Sequence, residues 1–309
     1  MDYLNKTPFA FSGVILGLAA LGNLLQSYGT IWRLICGAIA LILFFLYTIK
    51  LLTNFSGYKE ELKKSLPASV APTYPMALML LSTYLTPLLG LSLGIAEVIW
   101  WIGLIINILM VIYFIYEFVF KRDINLVYPS WGVVFVGFVV ASVTAPVFDN
   151  LQTGQILFWV GLAGGILTMP IMLYRTYIVK NFKTPELPSI TILGAPFSLL
   201  VAGYVNSFPE PNVTFLAVLL VVAQLLYLTT VVQVGGFLKN GFFPTYAALT
   251  FPLVISALSL KLAVPVLGWG NSFTSILIII ETIIAAVIVL YVLFTYLRFV
   301  FSDNGEVVK

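Results

Sequence analysis

About twenty apolar residues in a row, ten times over, is the pattern that decides what this chain can become. The runs cover 8–26, 30–52, 67–88, 95–119, 129–148, 153–178, 188–207, 212–235, 244–262 and 273–300. A helix of that length matches the hydrocarbon thickness of a bilayer, about 30 Å. Composition points the same way. Charged residues make up 9% of the chain, against roughly 25% in a soluble domain. Hydrophobic residues make up 61% and mean hydropathy is +1.07. Such a chain cannot cover a soluble surface. It reads as an all-α polytopic membrane protein, one domain of ten transmembrane helices.

The segments between the runs are of two kinds. Those after the odd runs are short and almost free of basic residues, whereas those after the even runs are longer and basic. The termini and the even-run loops, with the adjoining helix ends, hold thirteen cations: Lys6, Lys50, Lys59, Lys63, Lys64, Lys121, Arg122, Arg175, Lys180, Lys183, Lys239, Arg298 and Lys309. The other side holds two, Arg33 and Lys261. The positive-inside rule places both termini in the cytoplasm, which an even number of spans allows. Ten spans then make five helical hairpins in the cell membrane, each with its tight turn outside.

Odd spans share an opening. Pro8, Pro67, Pro129, Pro188 and Pro244 stand at or near their starts, 56 to 62 residues apart. A proline is favourable there because its missing N–H has no helical partner to lose. A second proline follows eight residues later in three of them: Pro75, Pro196 and Pro252. The fifth span has Pro146 near its outer end instead, and the first has Gly13, Gly17 and Gly22, which weaken a helix interior. Pro252 has no N–H for the carbonyl of Ala248, so the ninth span is expected to bend at Phe251-Pro252. Carbonyls freed at membrane depth are tolerated where protein or a water-filled cavity satisfies them, so the segment is either cavity-lining or a kinked packing helix. The even spans are straighter and bulkier, although the sixth holds Pro170. The expected arrangement is an inner ring of five odd helices around an axial path, inside an outer ring of five even ones.

Chemistry is bounded by what is missing. There is no histidine, which removes histidine metal sites, Ser/His/Asp and Cys/His catalysis and histidine relays. Cys36 is the only cysteine, so no internal disulfide forms. A net charge of +3 is too small to suggest nucleic acid. No enzymatic activity, metal or cofactor is expected, and no cleavable signal peptide is visible. The triplets beginning at Asn5, Asn54 and Asn212 read as chance glycosylation matches. Glu281 is the deepest ionisable residue, about two turns into the tenth span. It is either a proton or cation site, a partner of Lys261, or buried at a subunit contact. Glu97 and Glu117 lie near the ends of the fourth span, and Glu117 is four residues before Lys121, the spacing of a helix-surface pair. The odd spans otherwise offer only hydroxyls: Ser12, Ser142, Thr144, Ser198, Thr250 and Ser256. A neutral path of that kind has no strong ligands to replace the hydration shell of a cation, and it suits weak selection of anions. Phe251 is the largest ring beside a mid-span proline and a candidate plug.

Four stretches carry a family resemblance. They are Pro8-Phe9-Ala10-Phe11-Ser12-Gly13-Val14-Ile15-Leu16-Gly17-Leu18-Ala19-Ala20-Leu21-Gly22, then Pro129-Ser130-Trp131, then Leu193-Gly194-Ala195-Pro196, and Tyr246-Ala247-Ala248-Leu249-Thr250-Phe251-Pro252-Leu253. In order and spacing they resemble the tellurite-resistance/dicarboxylate transporter family, which includes the bacterial TehA type, the plant slow anion channels and fungal malate and sulfite transporters. The resemblance implies five hairpins around a pore, cytoplasmic termini, a homotrimer with one pore per subunit, and small inorganic or organic anions as the transported species. It also implies that Phe251 is the pore gate; the kinks, glycines and hydroxyls of the odd spans make Gly13, Gly17, Pro75, Ser142, Pro196, Thr250 and Pro252 the candidates for shaping or lining the path. The pattern departs from the family at Tyr246-Ala247, where an aromatic pair is common, and in lacking the long termini of the plant channels, so kinase control is not expected. Two readings of activity follow: an anion channel or facilitator, or a proton-coupled transporter of dicarboxylate, sulfite or other organic anions with Glu281 as coupling carboxylate.

Overall fold

In the computed structural model, residues 3, 6–239 and 241–302 are described, and their regular structure is all helical. The triplet at Asn5 and the cation Lys309 lie outside the described residues. Nine helical stretches are long and apolar enough to cross a membrane, among the described residues. The first hairpin-like pair is α1 (Phe11–Leu25) and α2 (Thr30–Thr53), joined through Gly29. A short α3 (Phe55–Leu62) and α4 (Ser65–Val70) lead to α5 (Thr73–Leu89) and α6 (Leu93–Phe114). Then come α7 (Trp131–Val136), α8 (Val140–Thr144) and α9 (Leu151–Tyr174). Next are α10 (Ala195–Ser207), α11 (Val213–Leu238), α12 (Phe251–Val266) and α13 (Ser272–Phe301).

The third apolar run is not one continuous helix. It divides into α4 and α5, and α5 has 17 residues, just short of a full crossing by itself. The cause is local. Pro75 lies in the first turn of α5, where its missing N–H leaves no bond unmade. The same device recurs. A 3₁₀ segment, Thr184–Gly194, precedes α10 with Pro196 in its first turn, and another, Pro244–Leu249, precedes α12 with Pro252 in its first turn. The expected bend within one helix at Pro252 is therefore a break between two. Thr250, at φ −86° and ψ −82°, is the joint, and Pro252 starts the second half rather than kinking a continuous rod. The fifth run alternates too, with 3₁₀ turns at Gly137–Val139 and Ala145–Phe148 around α8. The first run, by contrast, is one helix from Phe11 to Leu25, so its glycines do not interrupt it.

Three of the five long even-run helices begin with side-chain caps. Ser92, Asn212 and Asn271 accept from the backbone N–H three residues on, in α6, α11 and α13. Asn54 does the same for α3, so two of the three Asn-x-Ser/Thr triplets supply helix caps. Burial separates the two sets sharply. In their most apolar windows the odd-run helices long enough to span are 72 to 94% buried and the even-run helices only 28 to 44%. The buried set packs in cyclic order: α1 on α5, α5 on α8, α8 on α10, α10 on α12, and α12 back on α1. Each long exposed helix leans on the buried helix before it and on the next one round; α13, for example, touches both α12 and α1. Their outer faces carry residues such as Phe45, Leu167, Val232 and Phe294, two-thirds or more exposed, as lipid contact requires.

Candidate functional site

The site is the space enclosed by the first halves of the buried segments. A cavity of about 340 Å³ opens there, and all five contribute: Phe9 and Gly13, Met76, Gly137, Leu199, and Phe251 with Pro252 are among its walls. The short helix α3 adds Tyr58, Glu61 and Leu62 beside Pro67 and Leu66. Residues further along each odd segment do not reach it. They interlock instead, and Val14, Leu18, Leu80, Val140, Val201 and Val254 are all buried. The cavity thus belongs to the half of the bundle that adjoins the lysine-rich loops.

Its wall is nearly neutral. Glu61 is the one charged residue there, and its carboxylate is held by Lys64 at 2.6 Å. Four hydroxyl residues, Tyr58, Thr73, Ser189 and Thr245, also line it. Three of these are engaged: Thr73 with Ser12 at 2.7 Å, Ser189 with the Glu186 carbonyl at 2.6 Å, and Thr245 with the Pro185 carbonyl.

The anticipated hydroxyl residues lie elsewhere. Ser12, Ser142, Thr144, Ser198, Thr250 and Ser256 are outside the cavity wall and buried between helices. There they tie neighbouring segments together. Ser12 meets Thr73, Ser69 meets Ser130 at 2.5 Å, and Ser207 donates to the Ser142 carbonyl at 2.6 Å. Ser198 meets Ser256 at 3.0 Å, and Thr250 donates to the Gly13 carbonyl at 2.9 Å. These five links close a belt around the buried set. They also satisfy carbonyls that the breaks expose: the Gly194 carbonyl accepts from both Ser198 and Ser256.

Of the other sequence candidates, Gly13, Pro196, Phe251 and Pro252 line the cavity, whereas Gly17 and Pro75 do not. Gly17 lies at a helix crossing. A Cβ there would stand 2.5 Å from the Thr250 Cβ and 2.9 Å from the Phe251 backbone nitrogen. The missing side chain lets α1 close on the joint of the ninth segment and sets where Phe251 stands. Phe251 is 7% exposed and lines the cavity just after the Thr250 joint. Pro75 begins α5 behind the cavity, where its carbonyl approaches Gly103 of α6.

Glu281 is remote from this space. It is buried on α13 and faces Gln224 and Tyr227 of α11, with Oε2 unpartnered. Lys261 is not its partner, since its ammonium donates to the Leu24 carbonyl at 2.7 Å and to Ser27. Glu117 and Lys121 do form the ion pair their spacing suggests, at 2.6 Å. Two placements escaped the sequence reading: Tyr58 in the cavity wall, and Lys50 packed on Phe9 outside it. Lys50, counted among the loop-side cations, is fully buried, and its ammonium lies 3.8 Å from the Phe9 ring centre. Tyr58 sits in a loop helix that no apolar run marked. The available signal was the cap Asn54 followed by aromatics one and four residues later, Phe55 and Tyr58, in a short turn.

A family model described as "voltage-dependent anion channel" matches residues 6–298. No curated protein matches the chain.

Proposed function

Because the chain belongs to the voltage-dependent anion channel family, we propose that it is an anion channel or facilitator of the cell membrane, with no enzymatic activity, in which Phe251 closes a neutral path. The proposed architecture is ten spans in five hairpins, the odd ones ringing the path and both termini cytoplasmic. The cyclic packing of α1, α5, α8, α10 and α12 supports it, as does the burial contrast between the two sets of helices. The observation that carries the reading is the cavity itself, walled by all five odd segments and ending along the ninth at Phe251-Pro252.

A neutral, mostly apolar wall penalises an ion by its dehydration cost. Weakly hydrated monovalent anions such as nitrate and bromide then pass more readily than fluoride or sulfate. Opening needs the Phe251 ring to leave the path, and the cavity beside it is the space into which it turns. The ring is poised for that because it starts a helix at a joint rather than sitting inside a continuous rod. The likeness to the TehA type further suggests a homotrimer with one path per subunit, to be checked by the mass of the detergent-purified protein. The competing reading, proton-coupled transport of organic anions, needs a titrating carboxylate on the path; Glu281 lies away from it, and the carboxylate in the cavity wall, Glu61, is paired with Lys64.

Nitrate current across a planar bilayer is the test, parent against Phe251→Ala. A near-silent parent with a conducting, anion-selective variant supports the gate. Two folded, silent proteins defeat it.

A further inference from the structure

We infer that Glu61 limits the entry of anions into the cavity, as the negative member of an ion pair whose positive member, Lys64, stands outside the wall; this deepens the channel reading and rests on it. Glu61 lies in the last turn of α3, the short helix that also brings Tyr58 and Leu62 to the cavity. It is the one charged residue of that wall. Its side chain is 33% exposed, so an ion at the mouth can meet it. Lys64 follows where α3 has ended and the backbone is extended, at φ −103° and ψ 133°. Its side chain is 64% exposed, does not line the cavity, and reaches back to the Glu61 carboxylate at 2.6 Å. The negative end of the pair therefore lies nearer the path than the positive end.

The surroundings give that carboxylate its effect. Exposed cations at this end, Lys59, Lys63, Lys121 and Lys183, raise the local concentration of small anions. A carboxylate in the wall works against them at the last step. Lys64 offsets it only in part, because an ion pair between half-exposed side chains is weak and screened. Lys50 is the other cation within electrostatic reach of Glu61, but it is buried on Phe9 outside the wall and pairs with no carboxylate among the described residues. The helix also carries its own control. Lys63 and Glu60 form the same pair one residue earlier, with the same spacing, at 2.7 Å. Both of its members are about two-thirds exposed, and neither lines the cavity. Two like pairs thus stand side by side on one helix, and only one of them is placed at the path.

The test reads nitrate current through the full-length protein in a planar bilayer, in the Phe251→Ala background and at low nitrate, where entry limits the current. Glu61→Gln raises the low-salt current roughly fivefold, the worth of two unit charges a few ångströms apart in water. In about 1 M salt, where the screening length falls to about 3 Å, the gain shrinks below about twofold. A merely structural role would not carry that salt dependence. Lys64→Gln leaves the carboxylate bare and lowers the low-salt current. Glu61→Asp keeps the charge and gives no rise. Glu60→Gln removes the same charge from the same helix away from the wall, and leaves the current unchanged. If Glu61→Gln fails to fold, the Lys64→Gln current decides, and no fall there overturns the role of Glu61. An unchanged current in Glu61→Gln, an equal rise in Glu60→Gln, or a rise that persists in high salt also overturns it, and leaves the channel standing. No nitrate current in Phe251→Ala overturns the channel reading and the role of Glu61 with it.

Discussion

Gly17 shows how much one missing methyl group does. Its α-carbon faces Thr250 and the backbone of Phe251 so closely that any Cβ would collide with atoms that are not free to swing away. Gly17→Ala is expected to cost about 2 kcal/mol of stability, as overpacking does, read as a lower chemical-unfolding midpoint in detergent. Gly235 is the internal control. It lies in α11 with nothing within 4 Å of a built Cβ. Gly235→Ala should therefore raise stability by up to about 1 kcal/mol through helix propensity alone. Glu281 is a residue-scale question of another kind. It is buried, faces Gln224 and Tyr227, and lies off the cavity. Glu281→Gln is nearly isosteric, and in the Phe251→Ala background it should leave nitrate current unchanged between pH 5 and pH 8. A collapse of the current, or loss of a proton gradient's influence on it, would return the coupling role to this carboxylate.

Among the elements, the two-part odd segments matter most. Pro75, Pro196 and Pro252 look from the sequence like kinks, because a proline eight residues into an apolar run normally removes a helical bond. In place, each sits in the first turn of its helix, and the preceding segment ends before it. Pro252→Ala is accordingly expected to change stability by less than about 1 kcal/mol, measured by the same unfolding midpoint. A loss several times larger would mean that the proline holds the break open by strain. A second element-level feature is the pair of π turns that end the fourth and sixth long helices, Ile115–Val119 and Arg175–Val179. Both lead to a left-handed non-glycine residue, Arg122 at φ 51° and Lys180 at φ 57°. A side chain in that region costs about 1–2 kcal/mol. Lys180→Gly and Arg122→Gly should therefore each be neutral or stabilising, although each removes a charge from the basic loops.

At the scale of the molecule, the proposed topology is tested at the water-facing loops. Cys36 is buried, so the parent should not react with a membrane-impermeant maleimide. Single cysteines at Lys63 and Lys183 should react only from the cytoplasm, and at Glu210 and Gly270 only from outside. Reaction of all four from one face would overturn the topology. Much of this plan is legible in the linear chain, because run length and loop charge act through the bilayer itself. A stretch of twenty apolar residues partitions into hydrocarbon wherever its neighbours lie, and an excess of loop lysines favours the cytoplasmic side whatever the packing. The phase of the prolines and the outer-ring character of the even helices follow from the same local rules. Other features depended on which segments meet. The hydroxyl residues of the odd runs, which alone look like a polar lining, turn sideways into an interhelical belt because Gly13, Gly194 and Ser142 offer carbonyls there. Lys50 reads as a loop cation but is buried under Phe9, because the chain before α1 folds back over the end of α2. Tyr58 reaches the cavity only because α3 lies across its mouth. Hydropathy is a property of a segment, and a segment carries it anywhere. A hydrogen-bond partner is a property of a place, and places exist only once the helices have closed on one another.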